Sequence, residues 1–244
     1  MSHALRRATR DLAAAVNALP FAAPVTHIYN PLDYAWAAHQ QYLDRFGAAR
    51  GRILLLGMNP GPFGMAQTGV PFGDVGMVRD WMGIEAAIET PDPAHPKRPV
   101  QGFACPRGEV SGQRLWGWAR DRYATADRFF AEFFVLNYCP LVFMEESGRN
   151  RTPDKLSPDE RAALFAACDP GLQAAADCLA PRLMIGIGRF ATDRLKACFP
   201  TVEPLMAPHP SPASPLANRG WASLMDAVID RLDGTLTPET PRND

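Results

Sequence analysis

Four side chains in this sequence combine types and settings suited to holding a flat polar ring. Asn59 lies in Gly57-Met58-Asn59-Pro60-Gly61, and Phe72 in Gly69-Val70-Pro71-Phe72-Gly73. Asn137 opens Asn137-Tyr138-Cys139-Pro140, and His209 is bracketed in Pro208-His209-Pro210-Ser211-Pro212. A carboxamide offers donor and acceptor on one plane, and a neutral imidazole offers one of each. A phenylalanine held by glycines and prolines presents a face for stacking, worth about 1–3 kcal/mol per base in nucleic-acid proteins. Each residue also has an ordinary explanation: a strand-end asparagine is commonly a turn former, a lone loop histidine a surface residue, a phenylalanine part of a core. What lifts them above that is where they fall in the chain.

Asn59 follows Ile53-Leu54-Leu55-Leu56, four branched aliphatics that leave no polar face and so read as a buried strand. Segments 133–139, halted by Pro140, and 182–187 read the same way. Segment 202–206 contains Pro204, which confines it to an edge or a bulge. Helical patterns fill the gaps. Leu5, Leu12, Val16 and Leu19 share a face that Pro20 ends, and 33–46 offers Tyr34, Trp36, Leu43 and Phe46. Ser111 is positioned to cap a helix carrying Leu115, Trp116, Trp118 and Tyr123. Ser157-Pro158-Asp159-Glu160 reads as a capping box, with a second segment restarting at Asp169-Pro170. Another helix follows Gly188 through Cys198, and Trp221, Leu224, Met225, Val228, Ile229 and Leu232 keep a 3.6-residue period in the last. Residues 80–107 are irregular and proline-rich.

Strands alternating with helices predict a three-layer α/β/α fold around a central four-stranded, mainly parallel sheet. Residues 1–232 form one domain, with a frayed tail at 233–244. Ligands of such sheets sit at the carboxyl ends of the strands, and that is where Asn59, Asn137 and His209 all fall.

Composition narrows the field little. The 244 residues are 47% hydrophobic and 21% charged with a formal net charge of -1, so only a local basic surface could serve nucleic acid. Arg79, Lys97, Arg98, Arg189 and Arg219 are candidates for it. The five cysteines form no C-x-x-C pair and read as reduced, mostly buried thiols, with no metal site expected. There is no signal-peptide pattern and no run approaching the ~18 apolar residues of a membrane helix, so a cytoplasmic protein with no membrane contact is expected. Gly186-Ile187-Gly188-Arg189-Phe190-Ala191 fits a dinucleotide fingerprint, with Glu203 downstream. Against it stand Pro204 in the next strand and a larger glycine loop left unexplained; the plainer reading is a tight strand-to-helix turn whose amides can hold a phosphate. Loop 57–64 lacks the G-K-[ST] of a Walker motif.

Taken with their neighbours, these residues resemble the single-strand-selective monofunctional uracil-DNA glycosylases of the uracil-DNA glycosylase superfamily. The likeness runs from Ile28-Tyr29-Asn30-Pro31 to Leu232. It includes GMNPGPFGMAQTGVPFG at 57–73, VRDW at 78–81, HPKRPV at 95–100 and SGQRLWGW at 111–118. NYCPL at 137–141, SGRN at 147–150 and HPSP at 209–212 complete it. The resemblance implies a monomer binding DNA across the strand carboxyl edge and removing uracil, and forms such as 5-hydroxymethyluracil, from single- and double-stranded DNA. It implies hydrolysis alone, leaving an abasic site and an uncut strand, with no metal or cofactor, in the cytoplasm near a bacterial nucleoid or in a eukaryotic nucleus. By match to the motifs, Asn59 positions the attacking water and His209 stabilises the leaving base. Asn137 reads the uracil edge, Phe72 stacks on it, and Gly57 and Met58 shape the pocket. Pro210, Ser211, Pro212, Arg219 and Arg189 are the DNA contacts it points to.

One departure stands out. The family commonly carries Arg-Asn after HPSP as a wedge into the duplex, whereas Ala213-Ser214 stand here, with Leu216 and Arg219 as partial substitutes. From the residues alone, a damaged-base or single-strand binding module without catalysis is the alternative, and a dinucleotide oxidoreductase a remote third.

Overall fold

The apolar runs form the centre of the molecule. In the computed structural model, which describes residues 2–236, the chain begins with α1 (Ser2–Asn17), β1 (Val25–Tyr29), α2 (Pro31–Tyr34), α3 (Trp36–Phe46) and β2 (Ile53–Gly57). It continues through α4 (Met65–Thr68), α5 (Val110–Tyr123), α6 (Ala126–Glu132), β3 (Phe133–Asn137), β4 (Val142–Glu145) and β5 (Asn150–Arg151). It ends with α7 (Pro158–Leu179), β6 (Leu183–Ile187), α8 (Arg189–Cys198), β7 (Leu205–Ala207) and α9 (Trp221–Leu236). β2, β3, β6 and β7 make a parallel sheet in the order β3-β2-β6-β7, the middle layer of a three-layer α/β/α fold. All of β2 is buried, as its unbroken aliphatic run requires. Of the tail expected at 233–244, residues 233–236 continue α9, and 237–244 lie outside the described residues.

Several local expectations are corrected. The last strand starts at Leu205, because Pro204 has no N–H for the ladder, and it does occupy an edge. The segment expected as one helix over 33–46 is two, hinged at Ala35, with the Asn30 side chain capping Pro31–Tyr34. Glu109, not Ser111, caps α5: its carboxylate accepts from the Ser111 backbone N–H. α7 runs unbroken through Pro170 although a proline inside a helix costs about 3 kcal/mol. Tertiary contacts override it. A Cβ on Gly171 would lie 3.0 Å from Leu12 Cδ1 of α1, and the Asp169 carboxylate accepts from Tyr138 Oη at 2.6 Å. A small antiparallel sheet, β1-β4-β5, was not expected at all, nor was α6 with its Thr125 cap.

Two buried cationic or basic side chains tie these layers to the loops. Arg52 donates to Phe46 O (2.7 Å), Phe130 O (2.8 Å) and Ala49 O (2.8 Å). Phe46 and Phe130 lie in the last turns of α3 and α6, whose carbonyl ends are partially negative, so the guanidinium is held without a carboxylate. His39 donates from Nδ1 to Gly69 O at 2.7 Å. Gly69 has φ +71, and a Cβ there would lie 2.7 Å from Ala35 O, so this bond fixes a turn only glycine can make.

Burial drops the His39 ring to about 4 from its ordinary value near 6.5. Between those values the unfolded chain takes up a proton that the folded chain refuses. This stability is therefore complete above pH 6.5 and is lost as the pH falls towards 4. We expect urea unfolding followed by circular dichroism to lose about 2 kcal/mol from this source between pH 7 and pH 5. His39→Gln should flatten that slope; an unaltered slope would assign the pH dependence elsewhere.

Candidate active site

The site is built on the place where β2 and β3 end together. Their parallel register sets Gly57 opposite Asn137, and the pairing continues past both strands, with Tyr138 N donating to Gly57 O and Cys139 N to Met58 O at 2.9 Å each. A Cβ on Gly57 would stand 2.6 Å from the Phe72 ring and would overlap Asn137 Oδ1. The glycine therefore lets an aromatic face and a carboxamide converge on one spot.

Phe72 reaches that spot through a left-handed backbone, φ +54, which a bulky residue adopts only under constraint. Its carbonyl accepts from the Trp116 indole Nε1 at 3.0 Å and from Asp74 N at 2.9 Å. Gly112 leaves room for this: a Cβ there would run into the Phe72 carbonyl.

Asn59 is oriented by its neighbours. Its Nδ2 donates to Leu141 O at 3.0 Å and to Pro60 O at 3.3 Å, so Oδ1 is the atom left for a ligand. Leu141 ends the NYCPL segment, so the same turn that presents Asn137 also aims Asn59. Asn137 spends one N–H on Met65 Sδ at 3.4 Å, and its Oδ1 accepts nothing from the described residues. His209 accepts at Nδ1 from Ser211 N at 3.1 Å, which leaves the ring proton on Nε2. Burial lowers the His209 pKa, which favours this neutral form.

The loop that carries His209 is held at the carbonyls on both sides of it. Trp221 Nε1 donates to Pro208 O at 2.7 Å, and Arg114 Nη1 to Pro210 O at 2.9 Å. Arg114 Nη2 also reaches Asn218 Oδ1 at 2.9 Å, and Asn218 Nδ2 donates to Pro212 O at 2.8 Å. Gly188 supports the histidine from behind, since a Cβ there would lie 3.2 Å from His209 Cβ. The turn that resembled a dinucleotide fingerprint is thus filled by the histidine, and Gly186 is packed tightly on Thr192.

These groups surround one cavity of about 330 Å³. Met58, Asn59, Phe72, Asn137, His209, Ser211 and Pro212 all line it, and Gly57 lies beneath the Phe72 ring and the Asn137 amide. Pro210 is buried outside its wall. Arg189 is exposed at the start of α8 and Arg219 in the turn Ala217–Arg219; neither lines the cavity. Arg79 bridges its neighbour Asp80 at 2.8 Å.

Several lining residues escaped the sequence reading, among them Glu109, Ser111, Asn150 and Thr152. The Glu109 carboxyl sits in a socket left by two glycines: Cβ atoms would lie 2.8 Å from its Oε2 at Gly61 and 3.0 Å from its Cγ at Gly64. Burial raises its pKa. The paired glycines were the available signal, since they make room for a side chain from elsewhere in the chain. Arg114 had no such local signature. Among the described residues, no three His, Cys, Asp or Glu side chains gather as a metal ion would require.

The family model of the Uracil DNA glycosylase superfamily matches residues 45–229. The chain is 48% identical over 225 residues to a single-strand selective monofunctional uracil-DNA glycosylase of Rattus norvegicus, covering 91% of this chain and 80% of that protein. A protein of the same description from Bos taurus is 45% identical over 218 residues, covering 88% and 80%. A crystal structure of wild-type SMUG2 from Pedobacter heparinus shares the fold, with a TM-score of 0.68 at 15% identity over 93% of this chain and 97% of that one.

The strained backbone at Phe72 separates stability from chemistry. Phe72→Gly and Phe72→Ala both delete the ring, but only glycine relaxes at φ +54. The glycine variant should be more stable than the alanine variant by about 1 kcal/mol in urea melts. Both should lose ligand capture in the cavity. An alanine variant as stable as the glycine one would mean the backbone there is unstrained.

Proposed function

The chain belongs to the uracil DNA glycosylase superfamily, and from that premise we propose that it hydrolyses the N-glycosidic bond of uracil in DNA as a monofunctional glycosylase. The observation that carries this reading is the grouping, around one aromatic face, of two unclaimed amide oxygens and one imidazole N–H.

A base within a duplex is out of reach, so the nucleotide swings out into the cavity at a cost of a few kcal/mol that single strands largely avoid. The uracil ring lies on Phe72. Asn137 accepts from N3–H through Oδ1 and donates to O4, a pattern that cytosine reverses. As the bond from C1′ to N1 breaks, the sugar becomes oxocarbenium-like and the base an anion. His209 Nε2–H donates to the carbonyl oxygen where that charge collects, the largest single help available. Asn59 Oδ1 holds a water against C1′; an amide is too weak a base to take its proton, so the contribution is positioning. The water's OH ends on C1′ and its other proton on the departing uracil anion, so the base leaves neutral and the strand stays intact at an abasic site. The groups named need no metal or cofactor for these steps.

We extend the proposal to 5-hydroxymethyluracil, to duplex as well as single-stranded substrate, and to a monomer working in the cytoplasm on nucleoid DNA, or in the nucleus of a eukaryote. In duplex DNA the vacated stack must be filled. Ala213 offers only a methyl group, but Leu216, in the same loop, is 57% exposed and is the apolar side chain available for it. Pro210, Ser211, Pro212, Arg189 and Arg219 frame the DNA on this side.

Incubating uracil oligonucleotides with the protein and then with alkali tests the reaction. Asn59→Ala should lose most turnover and still bind the oligonucleotide. His209→Ala should slow release about 100-fold or more without lowering the melting temperature. Asn137→Asp should weaken the preference for uracil over cytosine. Because His209 works in its neutral form, the acid limb of the rate should fall below pH 6.5. Retarded DNA with no base released would leave a binding module instead.

Strand preference gives a second check. Single-stranded uracil should react faster than duplex, and Leu216→Ala should slow the duplex reaction several-fold more than the single-stranded one. Equal rates on the two substrates would remove the argument from the shortened wedge.

A further inference from the structure

Four cations gather at one part of the cavity rim with no counter-charge. Lys97, Arg107 and Arg149 are exposed and Arg98 is half-buried, and none makes an ion pair among the described residues. Their neighbours behave otherwise: Arg151 bridges Glu145 at 3.2 Å and Lys155 bridges Asp154 at 3.3 Å. The acids on the same segments are Glu109, turned into its glycine socket, and exposed Glu146. In a chain of net charge -1, such a cluster is a local departure that composition conceals.

The cluster is organised around an aromatic ring. Arg107 Cζ lies 4.0 Å and Arg98 Cζ 5.5 Å from the centroid of half-buried Phe63. The turn carrying Arg149 packs on the same group, since a Cβ on Gly148 would lie 3.3 Å from Lys97 Cβ and 3.4 Å from Arg98 Cζ. The backbone beneath is braced: Gln67 Nε2 donates to Pro62 O at 2.9 Å and to Pro99 O at 3.2 Å, and Tyr29 Oη donates to Arg98 O at 2.9 Å. The same segments build the cavity wall, because Pro62 and Gly64 flank Phe63, Glu109 follows Arg107 by two residues, and Asn150 follows Arg149. A strand leaving the cavity on this side crosses the patch within a nucleotide or two.

We propose that this patch seats the single-stranded DNA flanking the extruded nucleotide on one side, with Lys97, Arg98 and Arg149 on its phosphates and the Phe63–Arg107 pair against the next base. The proposal rests on the glycosylase reading for the identity of the nucleotide in the cavity. A guanidinium held over a ring is pre-organised for stacking and charge together. Only unpaired strands free a base face to meet it, whereas in a duplex each face is covered by its neighbour. The patch therefore supplies a preference for single strands that the cavity alone does not.

The test compares two triple variants of equal charge change. One is Lys97→Gln, Arg98→Gln, Arg149→Gln. The control is Arg50→Gln, Arg128→Gln, Arg182→Gln, at the opposite edge of the sheet, where Arg50 and Arg182 precede β2 and β6 and α6 leads into β3. Binding of a fluorescent all-thymidine single strand is measured across salt concentrations, so the readout does not depend on turnover. The patch variant should lose about 2 from the slope of log affinity against log salt, at about 0.7 per phosphate contact, and the control should keep the slope of the unaltered protein. With uracil placed at either end of the strand, removing one flank should weaken the unaltered protein and leave the patch variant indifferent to that flank. Equal slopes for both triples, or equal sensitivity to both truncations, would overturn the proposal. Should the triple fail to fold, Lys97→Gln and Arg149→Gln singly should each remove about 0.7. Salt slopes that separate while no uracil is released would sink the glycosylase reading and leave the patch; uracil release with identical slopes would do the reverse.

Discussion

Everything at the site depends on a register: β2 and β3 must end in step so that Gly57 faces Asn137. In a parallel pair, a slip by one residue turns every side chain to the opposite face of the sheet. Here a slip would also replace glycine by Leu56 or Met58 against the Phe72 ring, where no side chain fits. The fully buried Ile53-Leu54-Leu55-Leu56 run keeps that register, since moving it would disturb the core along the whole strand. The hydrophobic core thus sets where an aromatic ring and a carboxamide meet.

A second constraint concerns how polar groups are held. Asn59 is aimed by the Leu141 and Pro60 carbonyls, and the His209 loop by donors to Pro208 O and Pro210 O. Even the buried Arg52 rests on carbonyls rather than on a carboxylate. Backbone acceptors are fixed by the fold and do not change with pH, so the groups they orient stay in place. That suits chemistry beside DNA phosphates. A histidine oriented by a carboxylate would gain a partner for its charged form, whereas Ser211 N, donating to Nδ1, penalises protonation.

The sequence made the centre of this arrangement legible and its supports much less so. Asn59, Phe72, Asn137 and His209 stood out because glycines and prolines around them mark strand ends, and strand ends of a parallel sheet share an edge. The parallel sheet itself was readable from its aliphatic runs, and the edge position of the last strand from Pro204. Other features follow from contacts distant in the chain. Arg114 acts 96 positions from Pro210, and nothing near it in sequence signals that. Pro170 reads locally as a helix break, yet α1 and Tyr138 hold the helix through it. β1, β4 and β5 are short and irregular, with one register shift between Val25 and His27, so no period of two survives to be read. Glu109 stood next to a residue that looked like a better cap.

Charge follows the same division between local and distant. Several arginines far from the cavity are answered by carboxylates: Arg6 by Asp44 at 3.3 Å, Arg120 by Asp121 at 3.0 Å and Arg122 by Asp226 at 2.8 Å. At the rim four cations stand close together without such partners among the described residues, which gives a nearly neutral chain one local positive field. Screening limits that field to about 8 Å at physiological salt, so it guides a strand already near the rim without drawing DNA from a distance. In the proposed reading, discrimination is left to the cavity, where one extruded ring engages Asn137, Phe72 and His209 together. A surface with more unanswered charge would hold any strand tightly and slow the sampling of nucleotides that the proposed reaction requires.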